Sequence, residues 1–238
     1  MEIFLHSETW IALITLTFLE IVLGIDNIIF ISIVAGKLPQ NQQKKARLIG
    51  LSLALIMRVI LLFGITWLVS LTNPVITLMD FKLSWRDIIL LVGGLFLIAK
   101  STSEIHHKVE GEDEEKKVKG VSTAFGKALF QIVVLDIIFS FDSILTAVGL
   151  TKEITLMVIA VIISILIMMI FAGKISDFIN KHPTLQILAL SFLILIGFML
   201  GIEAFHFHVP KGYIYFAVFF SLLVEVINIR MRKKSKIS

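Results

Sequence analysis

The acidic side chains with the least ordinary surroundings are Glu20 and Asp26 in "FLEIVLGIDNIIF" and Asp136 and Asp142 in "VLDIIFSFDSILT". In both stretches the second acid follows the first at the same interval and precedes a polar residue, Asn27 or Ser143, and the copies lie 116 positions apart. An acid at the centre of a transmembrane helix costs about 2.5–3.5 kcal/mol, so four carry a penalty on the order of 10 kcal/mol. Arg58 is the clearly intramembrane cation of the sequence, and one guanidinium cannot balance four ionised carboxylates. A divalent cation together with protons can. With no histidine in either motif and no cysteine in the chain, the oxygen donors suit Mg²⁺, Mn²⁺ or Ca²⁺ better than Zn²⁺ or Cu⁺. Residue chemistry leaves those three ions open. A buried carboxylate that gives up a cation takes up a proton in its place, so cation/proton exchange is the expected driving scheme.

These residues need membrane helices to carry them. Of 238 residues, 57% are hydrophobic and 17% charged, and the mean hydropathy is +0.96, far from the balance of a soluble globular chain. A hydrocarbon core takes roughly 20 apolar residues per helical crossing. Apolar runs predict seven spans, near residues 10–35, 49–71, 86–100, 125–148, 154–173, 185–204 and 212–229. The fold class is therefore all-α, a polytopic membrane protein read as one transmembrane domain over 1–238. "MEIFLHSETW" has no lysine or arginine, hence no signal-peptide n-region, and the first span is expected to stay as an anchor. The absence of cysteine excludes disulfides, thiolate metal sites and iron–sulfur clusters. The net charge of +4 comes from residues in short loops between spans, which argues against nucleic acid as a partner. Seventeen basic residues fall on one side and four (Lys82, Arg86, Lys152, Lys211) on the other. The bias predicts an outside N-terminus and a cytoplasmic C-terminus.

The charged segment "EIHHKVEGEDEEKKVKG" divides the chain into comparable halves. The reading is repeat one over 10–100, a solvated cytoplasmic linker over 101–123, repeat two over 124–204, and a final helix over 212–229. As linker residues, His106 and His107 are expected to be solvated and not to sense metal. Three helices per half reverse the direction of the second copy, giving the inverted-repeat architecture in which transporters place substrate at the midplane. Six residues of continuous helix cover about 9 Å and turn through roughly 240°, so Glu20 and Asp26 cannot both reach one small ion, whereas Glu20 and Asn27 share a face. Opposed directions put Glu20 level with Asp142 and Asp26 level with Asp136, in two tiers. A helix break at Gly24, and at the corresponding Ser140, is expected to draw the tiers together and free carbonyl ligands.

"EIVLGIDN" together with "DIIFSFDS" resembles the TerC family of integral membrane proteins, and the likeness extends over essentially the whole chain. "KARLIGLSLALIMR", the "HPT" before span six and "FHVPKGYIY" resemble the branch that often carries a cytoplasmic CBS-domain extension, which is not expected here because the chain ends at "KKSKIS". The resemblance implies a manganese exporter in a bacterial plasma membrane, with links in some members to tellurite resistance and to the metal supply of exported proteins, hence to the protein-export machinery. On this sequence the family's motif positions are Glu20, Asp26, Asn27, Asp136, Asp142 and Ser143. Mn²⁺ is then substrate, protons the exchange partner, and no tightly bound cofactor is expected. Catalysis is not expected. The rivals are an intramembrane aspartyl hydrolase using Asp26 and Asp142, disfavoured because Leu23 stands where a GxGD motif needs glycine, and an assembly or metalation factor for exported proteins. No Walker loop points to ATP-driven pumping.

Arg58 is read as a counter-ion whose movement gates the acids, and Lys100 as snorkelling to the interface with a lesser claim to the same role. Glu203, His206 and His208 are expected to anchor the interface before serving any vestibule, and Glu225 and Asn228 to be interfacial. Gly93, Gly94, Gly197 and Gly201 predict close helix packing. Trp10, Trp67, Trp85, Tyr213 and Tyr215 fall at span ends, as aromatic belts do.

Overall fold

A computed structural model describes residues 7–78, 81–110, 121–151 and 153–235. Its helices are α1 (Ser7–Gly36), α2 (Gln40–Phe63), α3 (Ile65–Ser70), α4 (Trp85–Glu110), α5 (Val121–Leu150), α6 (Ile154–Asn180), α7 (Pro183–Ala204) and α8 (Lys211–Ser235), with strands β1 (Pro74–Leu78) and β2 (Phe81–Ser84) before α4. Seven of these helices are long and apolar enough to cross a membrane.

The span expected over 49–71 is instead two helices. α2 ends at Gly64, whose amide donates to the Ile60 carbonyl at 2.9 Å, and α3 carries on after it. The expected outer loop contains an antiparallel hairpin, with Thr77 opposite Lys82. Its first strand, "PVITL", places β-branched residues at three consecutive positions, which suits extended backbone.

A reciprocal cap starts α4. Ser84 N and Oγ both donate to Asp87 Oδ2, at 2.8 and 2.7 Å, while the Asp87 amide donates back to Ser84 Oγ at 3.2 Å. This helix corrects the linker. It runs through Glu110, so the chain over 101–110 is helical and includes His106 and His107. Pairs at i,i+4 explain its persistence beyond the apolar run: Lys100 Nζ lies 2.8 Å from Glu104 Oε1 and His106 Nε2 lies 3.1 Å from Glu110 Oε2. The rest of the linker's core, residues 111–120, lies outside the described residues, and α5 has begun by Val121.

The chain forms two compact units, Met1–Ile89 with Val118–Phe178, and Leu90–Lys117 with Ile179–Ser238. In the first, α1, α2 and α5 pack on one another. At one end of it Gln43 Nε2 donates to the last carbonyl of α1, at Gly36 (3.3 Å), and to the Leu38 carbonyl in the turn that follows (2.9 Å). Arg47 Nη1 ties α2 to α6 through Ser176 Oγ at 2.8 Å. In the second unit α7 packs on α8, and α4 meets α7 through glycines: a β-carbon on Gly197 would stand 2.7 Å from the Gly94 carbonyl oxygen.

Candidate functional site

Glu20 and Asn27 are seven residues apart on α1, nearly two turns, and both are buried on the face that meets α2 and α5. Arg58 comes from the buried stripe of α2 that also holds Gly50, Ala54 and Leu62. Asp136 and Ser140 are one turn apart on α5. The sequence thus delivers one cation and two anions to a shared interior from three helices. Arg58 is 1% exposed, Glu20 4% and Asp136 3%.

Arg58 Nη1 donates to Glu20 Oε2 at 2.6 Å, while Nη2 and Nε donate to Asp136 Oδ1 at 3.3 and 3.4 Å. The same Asp136 oxygen accepts from Asn27 Nδ2 at 3.1 Å, and Ser140 Oγ donates to Asp136 Oδ2 at 3.3 Å. The guanidinium is a charged donor to both acids, the kind of pairing that makes a buried ion tolerable. With both acids ionised, one guanidinium leaves a net negative charge of one on the described cluster. Glu20, Asp136, Asn27 and Ser140 bring only hard oxygen donors to this cluster, the type that Mg²⁺, Mn²⁺ and Ca²⁺ bind. Among the described residues, no three His, Asp or Glu side chains gather as a resident metal centre would require.

Two expectations change. The helix break is absent: α1 is one helix from Ser7 to Gly36 and α5 one from Val121 to Leu150. Gly24 serves close packing, since a β-carbon there would run into the tip of Met168 on α6, and Ser140 serves Asp136. The tiers are also bridged, because Arg58 joins Glu20, assigned to one level, to Asp136, assigned to the other. The side chains of Asp26 and Asp142 lie outside the described residues. Ser143 is buried, and its hydroxyl donates to the Ser140 carbonyl at 3.2 Å.

The model of the integral membrane protein TerC family matches residues 5–237. The chain belongs to that family. An Escherichia coli K12 relative named "UPF0053 inner membrane protein YgdQ" is 54% identical over 228 residues, covering 96% of this chain and 95% of the relative. A "UPF0053 protein" of Haemophilus influenzae is 48% identical over 229 residues, covering 96% of this chain and 97% of the relative. The longer "UPF0053 inner membrane protein YoaE" of Escherichia coli K12 is 48% identical over 228 residues, which is 96% of this chain and 44% of that protein. No solved structure matches. Seven apolar helices and relatives named for the inner membrane make this TerC-family member a multi-pass inner membrane protein.

Elsewhere in the TerC-family chain, Lys100 finds its carboxylate on its own helix, at Glu104. Glu203, His206 and His208 surround the end of α7, where the Phe207 amide reaches the Ile202 carbonyl at 3.3 Å and the His206 amide the Glu203 carbonyl at 3.0 Å. With φ of 66° at His206, this is a Schellman-type stop with histidine where glycine is usual. Glu225 Oε2 accepts from Asn228 Nδ2 at 3.5 Å, half-buried on α8.

Proposed function

We propose that this TerC-family protein is a secondary transporter that expels a divalent cation, Mn²⁺ first among candidates, from the cytoplasm in exchange for protons. The observation that carries the reading is the buried Glu20–Arg58–Asp136 cluster, where α1, α2 and α5 meet. A chain that only needed to span lipid would gain nothing from two interior carboxylates; a carrier needs a charged site that alternately holds its ion and something else. Here Arg58 is the resident substitute. It neutralises the acids between transport events and withdraws when a divalent cation arrives, and protons account for the charge it leaves unbalanced. Asp26 and Asp142 supply the remaining carboxylates of the path, with Ser143 as a further oxygen ligand. The grouping of helices supports an inverted repeat: the first unit holds the first two helices of each half, and α1 and α5 are both 30 residues long. The N-terminus is outside and the C-terminus cytoplasmic, following the distribution of lysine and arginine. Export and manganese follow the family resemblance, as does an association with the export and metalation of secreted proteins. No catalysis and no bound cofactor are part of this function.

Purified protein in liposomes tests it. Mn²⁺ should move with opposite proton flow, collapse of the pH gradient should slow uphill movement, and Asp26→Asn or Asp142→Asn should abolish flux. Wild-type protein that carries no cation in either direction, while supporting maturation of an exported protein, would overturn the reading.

A further inference from the structure

The tip of Met168, on α6, presses against Gly24 of α1, and both are buried. Gly24 is four residues after Glu20 and three before Asn27, so the three positions fall within about 60° of one another around the helix. Glu20 and Asn27 aim their polar groups at Arg58 and Asp136 from this same face. The Met168 sulfur therefore meets α1 on the turn that lies between the two residues of that helix that build the cluster. Only glycine allows the approach. A β-carbon at position 24 would overlap Met168 Sδ and come within 2.9 Å of its Cε.

We propose that Met168 is a specificity-determining residue of the cation path, adding one thioether donor to an otherwise oxygen-lined site. The inference rests on the cation-transport reading above and deepens it. Mg²⁺ and Ca²⁺ bind oxygen and gain little from a neutral sulfur, which takes the place of a better oxygen or water ligand. A transition-metal ion tolerates sulfur in its coordination sphere, and a thiophilic ion seeks it. A sulfur on the turn of α1 between Glu20 and Asn27 thus penalises the two abundant hard cations relative to Mn²⁺, a choice that carboxylates alone do not make. It also exposes the path to Cd²⁺. A leucine would fill much the same volume without the donor, so pure gap-filling and ligation part company on substitution.

The test is ion-resolved flux through the full chain in liposomes, with Mn²⁺, Mg²⁺ and Ca²⁺ measured one at a time and Cd²⁺ added as a blocker of Mn²⁺ movement. Met168→Leu should lower the Mn²⁺:Mg²⁺ and Mn²⁺:Ca²⁺ flux ratios on the order of tenfold, the discrimination that one pocket contact supplies, and weaken the Cd²⁺ block. Gly24→Ala, which pushes the sulfur away while keeping it in the protein, should shift the ratios in the same direction. Wild-type ratios and Cd²⁺ sensitivity in Met168→Leu would overturn the proposal, and if that variant carries nothing, wild-type ratios in Gly24→Ala would do so. A wild-type protein that moves no divalent cation overturns the transport reading itself, and this inference with it, a result distinct from unchanged ratios.

Discussion

Arg58 holds Glu20 at 2.6 Å and Asp136 at 3.3 Å with separate guanidinium nitrogens, so one side chain of α2 joins α1 to α5 inside the protein. Removing it strands two buried carboxylates, a change that costs about 3–5 kcal/mol when a buried pair is broken. Arg58→Leu should therefore unfold at a clearly lower temperature in detergent, followed by tryptophan fluorescence. Adding Glu20→Gln and Asp136→Asn should recover much of that stability without restoring transport. A single Arg58→Leu protein that melts with the wild type would show that the bridge does not hold these helices.

Gly197 and Gly201 share one helix and differ in what faces them. A β-carbon on Gly197 would meet the Gly94 carbonyl oxygen at 2.7 Å and Ile98 Cγ1 at 2.9 Å, while one on Gly201 meets nothing within 4 Å. Gly197→Ala should destabilise the protein by about 1–3 kcal/mol, the usual cost of overpacking, and Gly201→Ala should be near neutral. Thermal melts of the two variants check this, and equal effects would count against backbone contact between α4 and α7.

Because the chain has no cysteine, single cysteines can report its orientation. Exposed Thr72, just before the hairpin, should as Thr72→Cys react with an impermeant thiol reagent added to the outside of cells. Exposed Lys44, at the start of α2, should as Lys44→Cys react only after permeabilisation. The reverse pattern would invert the topology.

What the sequence makes legible follows from which signals are local. Hydrocarbon thickness sets span length, so the apolar runs locate all seven crossing helices. The rise and turn of a helix suffice to put Glu20 and Asn27 on one face, and the cost of a lone intramembrane arginine singles out Arg58. Features that depend on neighbours are hidden. The extension of α4 beyond Lys100 is polar and looks like loop by hydropathy, yet its i,i+4 pairs keep it helical. Gly24 resembles a breaking point because glycine is a poor helix former; its role as a gap for Met168 is set by a helix 144 residues away in sequence. Nothing in "LIMMIFAG" marks which methionine meets Gly24. Ser140, matched to Gly24 by the repeat, instead serves the acid one turn before it, a spacing that the sequence does display.

Whether the Glu20–Arg58–Asp136 cluster handles a transported cation is tested most directly by the initial rate of Mn²⁺ movement in proteoliposomes holding equal amounts of folded wild-type or Asp136→Asn protein. Rapid flux is expected for the wild type and, for Asp136→Asn, flux no greater than that of empty liposomes. Equal rates from the two proteins would contradict a role for the cluster in transport.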